Sequence, residues 1–132
     1  MRTSRFSIFA SIAAIGAALL FAPVKAQNAR FRNAPESADA TNPVAGQADA
    51  VHQGLELFAD HCSSCHGIDR KGSGSIPALD TPRVSSANDG ELFWFITNGD
   101  TDDGMPSWKR LPDEQRWQIV AFLKSSSAAS NK

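Results

Sequence analysis

Cys62-Ser63-Ser64-Cys65-His66 is the stretch on which the reading of this chain turns. Cys-x-x-Cys-His is the spacing at which a c-type haem is attached. The two thiols add across the vinyl groups, and the adjacent histidine becomes the axial ligand of the iron. Two intervening residues put both sulfurs on the edge of one helical turn, and the next residue carries its imidazole to the face of the ring. Cys62 and Cys65 are the only cysteines in the chain, so neither has another partner for a disulfide.

Two other chemistries use a Cys-x-x-Cys. A redox dithiol belongs in a thioredoxin-like βαβ pattern, and no such pattern surrounds this one. Structural zinc would need a fourth ligand beside Cys62, Cys65 and His66. Only His52 and His61 could supply it, and no second ligand pair stands at finger spacing.

Arg2 and Arg5 open the chain, an apolar run from Ile8 to Ala22 follows, and Val24-Lys25-Ala26 offers a small-residue cleavage signal. The expectation is a signal peptide over residues 1–26, removed on export to the periplasm. The alternative is an uncleaved anchor, for which the run is short, since a spanning helix needs about 20 apolar residues. Cleavage removes Arg2, Arg5 and Lys25, so thirteen basic residues become ten against fourteen acidic ones, a formal charge of −4. A negative chain excludes nucleic acid and disfavours an anionic membrane surface as partner. Membrane association is expected only through a partner or an uncleaved signal segment.

Residues 27–47 are poor in large apolar side chains and rich in Ala, Asn and Pro, which reads as a disordered extension or linker. One folded domain is expected over 48–126, followed by a frayed tail at 127–132. About 80 residues make a marginal apolar core, so a buried haem would contribute to folding itself.

Three main helices are expected, wrapped around one haem in an all-α fold. The first spans about Ala48 to His61, with Val51, Gly54, Leu55 and Phe58 on one stripe. The second follows Asn88 as N-cap, with Glu91 completing a capping box, and stops at Asn98-Gly99. The third starts at Pro112, with Asp113 and Glu114 at its positive end. Trp117, Val120, Ala121 and Lys124 mark one of its faces, and Ile119, Phe122 and Leu123 widen the apolar side. No segment alternates as a strand would.

Met105 is the only methionine outside the signal segment, and it stands in a loop as Gly104-Met105-Pro106. A loop is an odd place for a core gap-filler. A thioether facing the iron opposite His66 would give six-coordinate haem with a raised reduction potential. His52 and His61 precede the pentad on the same helix, on the wrong side to reach over the ring, and read as surface or packing residues.

These motifs, in this order, resemble a small single-haem bacterial class I cytochrome c, over nearly all of Ala48 to Lys124. Gly54-x-x-x-Phe58-x-x-x-Cys62 resembles the family's first helix, whose glycine touches the last helix, where Ile119 and Phe122 hold the matching places. Gly72-x-Gly74-x-x-Pro77-Ala78-Leu79 resembles the loop whose proline carbonyl accepts a hydrogen bond from the axial histidine. Asn98-Gly99, Gly104-Met105-Pro106 and Trp108 complete the pattern. The resemblance implies one covalently attached haem c, with Cys62, Cys65, His66, Met105 and Pro77 at the cofactor and His66 and Met105 on the iron. Trp94 and Trp108 read as pocket packing. Arg83 could reach a propionate, although a solvated loop position suits it better.

The implied function is an electron carrier rather than an enzyme, with a redox protein as donor, another as acceptor, and no small-molecule substrate. It would work between a periplasmic or membrane dehydrogenase and a respiratory acceptor. Two alternatives stand beside the free carrier. One is a dedicated haem subunit of a dehydrogenase of the alcohol or sugar type. The other is a haem peroxidase or gas sensor, in which Met105 would have to leave the iron.

Overall fold

The computed structural model describes residues 39–125. The signal segment, most of the expected linker and the tail beyond Ser125 lie outside the described residues. The fold contains α1 (Ala48–His61), α2 (Ser63–His66), α3 (Pro82–Ser86), α4 (Asp89–Asn98), a 3-10 turn (Thr101–Asp103) and α5 (Asp113–Ser125). Among the described residues there is no strand, only two isolated bridges, Ser73 with Ile76 and Asp100 with Met105. The all-α fold expected from the sequence is present.

The core is built on the crossing of α1 and α5. Ala50, Gly54 and Phe58 recur at the spacing that stacks side chains on one helix face, and all three are buried. A Cβ on Gly54 would sit 2.0 Å from the Gln118 carbonyl oxygen and 2.9 Å from Cβ of Phe122. Only a residue without a side chain lets the helices approach this closely. Four residues on, the Phe58 ring meets Phe122 at 5.3 Å between centroids. Phe58, Ile119 and Val120 are the largest fully buried side chains, each burial contributing roughly 1.5–3 kcal/mol.

Leu55 does not share the stripe expected of it. It is 39% exposed, because one residue past Gly54 turns the side chain about 100° off the buried face. The atoms nearest a Cβ at Gly54 belong to Gln118 and to Phe122, one of the two α5 residues expected there.

The capping box expected for α4 is present. The Asn88 amide donates to Glu91 Oε2 at 3.2 Å, and the Asn88 side chain accepts from the Glu91 amide. The helix ends at Gly99, which has positive φ but an extended ψ of −171°. α5 begins one residue later than expected, with Pro112 just outside it offering its carbonyl to the Arg116 amide at 3.2 Å. Its buried run from Gln118 to Leu123 faces α1, α3 and α4.

The ordered chain reaches further back than Ala48. Asn42 is 4% exposed. Its amide donates to Asp89 Oδ2 at 3.1 Å, and its side-chain nitrogen donates to the Trp117 carbonyl at 2.9 Å. Asp89 also pairs with Lys124 at 2.6 Å. The end of the expected linker is thus clamped across the start of α4 and the middle of α5.

Candidate haem site

α1 stops at Cys62, whose φ of −118° takes the chain out of the helix, and α2 is a single turn carrying Cys65 and His66. Cys62 is half-buried and Cys65 exposed. Burial, and then the charge of Cys65, push the Cys62 thiol up to about 11. Cys62 is therefore uncharged at neutral pH, the opposite of the low-pKa thiolate that redox dithiols present. Among the described residues, no three His, Cys, Asp or Glu side chains group closely enough to hold a metal ion. The dithiol and zinc readings both lose their support.

His66 Nδ1 lies 3.1 Å from the carbonyl oxygen of Pro77. A carbonyl only accepts, so Nδ1 must carry the proton and Nε2 keeps its lone pair. That is the tautomer a metal-binding imidazole needs, with the other nitrogen fixing its orientation.

The loop between α2 and α3 is shaped to bring Pro77 there. Gly72 has φ +65°, and a Cβ on it would lie 2.3 Å from the Ile76 carbonyl oxygen and 2.8 Å from that of Pro77. The Gly72 amide donates to the His66 carbonyl at 2.9 Å, so the same residue closes on both ends of the hydrogen-bonded pair. Arg70 has φ +60°, and its carbonyl takes the amides of Leu79 and Asp80 at 2.7 and 3.3 Å.

A second loop carries Met105. The Asp100 amide donates to the Met105 carbonyl at 3.0 Å and the Met105 amide donates to the Asp100 carbonyl at 2.9 Å, which closes a tight hairpin over the 3-10 turn. Gly99 permits it, since a Cβ there would lie 2.5 Å from the Met105 oxygen. After Met105, the Ser107 hydroxyl donates to the Thr97 carbonyl at 2.7 Å and the Trp108 amide to the Ile96 carbonyl at 3.0 Å. Met105 itself is half-buried.

The end of α1 meets the Met105 loop through His61 and Trp108, whose rings are 5.1 Å apart. His61 is thereby used in packing, and His52 faces solvent beside Glu56. Cys62, Leu79 and Trp108, one each from the pentad, the Pro77 loop and the Met105 loop, pack on the core while staying partly open. This apolar rim, two thiols on one turn and an imidazole with a bare Nε2 fit a flat apolar ring held at one edge.

Sequence reading missed Arg116 and Gln118, both buried polar residues on α5. Gln118 donates to Gln53 across the α1–α5 crossing. Arg116 donates to Leu111, Thr97 and Asp113. α3 was also missed, although Thr81-Pro82 carries a start signal: the Val84 amide reaches the Thr81 hydroxyl, and Pro82 occupies the first turn.

Fold and pentad together define a class I c-type cytochrome. The family model described as cytochrome c oxidase, cbb3-type, subunit III, matches residues 49–123, and the chain belongs to that family. It is 35% identical over 85 residues to the cbb3-type cytochrome c oxidase subunit FixP of Rhizobium meliloti, covering 60% of this chain and 28% of that one. Cytochrome c550 of Pseudomonas aeruginosa is 29% identical over 90 residues, covering 63% and 60%. In structure the chain is similar to cytochrome CL from Methylophaga aminisulfidivorans, with a TM-score of 0.55, 30% identity, and coverage of 64% of this chain and 60% of that one. The match spans less than a third of the length of FixP. A covalently bound haem c follows from membership.

Proposed function

We propose that this cytochrome carries electrons one at a time between a periplasmic or membrane dehydrogenase and a respiratory acceptor, with His66 and Met105 as the two axial ligands. Bound haem supplies the one-electron chemistry through its iron. Cys62 and Cys65 fix the ring by thioether bonds, and His66 is held in its ligating tautomer by Pro77. Met105 is presented by a hairpin closed through two backbone hydrogen bonds. Two protein ligands, His66 on α2 and Met105 on its hairpin, would keep the coordination nearly the same in both oxidation states and leave no position for oxygen or peroxide. The protein is a carrier and not itself an enzyme.

The observation that carries this reading is the contact of His61 with Trp108. It joins the residue before the pentad to the loop bearing Met105, which supports reading both candidate ligands as parts of one site. Carbon monoxide added to the reduced native protein tests it. A closed His66/Met105 shell leaves the spectrum unchanged without denaturant, whereas ready binding would favour a gas-binding or peroxidase role.

The ordered clamp at Asn42 bears on a second reading, a haem subunit held within a dehydrogenase or oxidase complex. The chain enters the domain at a point that Asn42 fixes against the start of α4 and the middle of α5. Two relatives are named as subunits of larger assemblies, FixP and the cytochrome c subunit of the bc1 complex of Corynebacterium efficiens. Co-purification with a partner distinguishes subunit from free carrier. Among the described residues no helix is long and apolar enough to cross a membrane.

A further inference from the structure

Arg116 is 6% exposed, and its guanidinium is distributed over the ends of one loop. Nε donates to the Leu111 carbonyl at 3.1 Å, just before α5. One terminal nitrogen donates to the Thr97 hydroxyl near the end of α4, and the other to Asp113. The group lies 4.6 Å over the Phe93 ring. Thr97 in turn donates its hydroxyl to the Phe93 carbonyl at 2.7 Å, and its own carbonyl accepts from Ser107 at 2.7 Å.

Thr97 precedes the Met105 loop and Leu111 follows it, so one side chain staples the loop at both feet. A second link, Thr97 to Ser107, reaches within two residues of Met105. The Met105 hairpin fixes only the loop's tip. Its attachment to the helices passes through Thr97, Leu111 and the backbone bond of Trp108. A sulfur–iron bond is weak compared with a bond from imidazole, so its persistence depends on how firmly the loop presents the methionine.

We propose that Arg116 is a positioning residue for Met105, holding the loop so that the thioether stays on the iron. The proposal rests on Met105 being the sixth ligand. A lysine would keep the charge beside Asp113, but its single ammonium lacks the fork that reaches Leu111 and Thr97 together.

The test measures how fast added imidazole displaces the methionine from the ferric holoprotein, followed by loss of the weak far-red charge-transfer band of sulfur–iron ligation. The wild type, Arg116→Lys, Thr97→Val and Thr97→Ser are compared, with thermal unfolding run alongside. Hydrogen bonds to a charged group are strong enough that Arg116→Lys and Thr97→Val should each speed displacement about tenfold. Thr97→Ser keeps the hydroxyl and should behave as wild type. A general structural role would lower the unfolding temperature and leave displacement unaltered, and that result overturns the proposal. Should Arg116→Lys yield no holoprotein, Thr97→Val decides alone, and displacement at the wild-type rate counts against the staple. A wild type without the far-red band refutes the Met105 ligand and this proposal with it. A wild-type band with unchanged variants refutes only the role of Arg116.

Discussion

The Nδ1 of His66 and the carbonyl oxygen of Pro77 are 3.1 Å apart, and this contact ties a residue of the pentad to a loop eleven residues downstream. It fixes the imidazole's tautomer, and it makes the ring a better electron donor through Nε2. With His66 on the iron, as proposed, a more basic ligand would favour ferric iron and so lower the reduction potential.

Gly72→Ala disturbs that bond without replacing either partner. The new Cβ would meet the Ile76 and Pro77 carbonyls at 2.3 and 2.8 Å, at a φ of +65° that alanine rarely adopts. The Pro77 carbonyl must shift from its place, which should weaken its contact with His66. The reduction potential should then rise, as measured by equilibrium redox titration. An unchanged or lower potential would show that the contact does not tune the iron.

Covalent attachment is tested at the cysteines. Replacing Cys62 or Cys65 with alanine should lower the yield of stable holoprotein, because one bond to the ring and part of the fold are lost. With both replaced, any haem present should extract into acid–acetone, whereas wild-type haem should stay with the polypeptide. Haem that extracts freely from the wild type would remove the basis of the assignment.

Gly54→Ala probes the α1–α5 crossing. Its Cβ would overlap the Gln118 carbonyl at 2.0 Å, and overpacking of this kind costs about 1–3 kcal/mol. The unfolding temperature of the holoprotein should fall by roughly 4–8 °C or more. A calorimetric scan that matches wild type would mean the helices pass at a greater distance.

Charge bears on the partner. With the signal segment removed, the formal charge is −4, and Asp102 and Asp103 are exposed beside the Met105 hairpin. Electron exchange should be faster with a cationic redox partner than with an anionic one. The faster rate should fall as salt shortens the screening length from about 10 Å at 0.1 M. Neutralising Asp100, Asp102 and Asp103 should flatten that dependence in stopped-flow measurements. Rates that ignore ionic strength with both partners would indicate an apolar docking face.

Much of this architecture is written in local signals. The pentad, Asn88 with Glu91, and Gly54 with Phe58 are short patterns whose physics is complete within a few residues, and each recurs in the structure. Asn42 and Arg116 carry no such pattern. Their partners, Trp117 and Thr97, lie far along the chain, and a polar residue reads as surface until its distant acceptor is known. Arg116 follows Asp113, Glu114 and Gln115 and so looks like one more solvated residue of a helix start. Leu55 shows the reverse error: an apolar residue near a stripe need not be on it.

The central claim is the pairing of His66 with Met105 on one iron, and the direct measurement is the ferric absorption spectrum of wild type beside Met105→Ala. The wild type should show the weak far-red charge-transfer band of a sulfur–iron bond. The variant should lack it and have a lower reduction potential, since the thioether favours ferrous iron. A band that persists in the variant, or one absent from the wild type, would contradict the assignment.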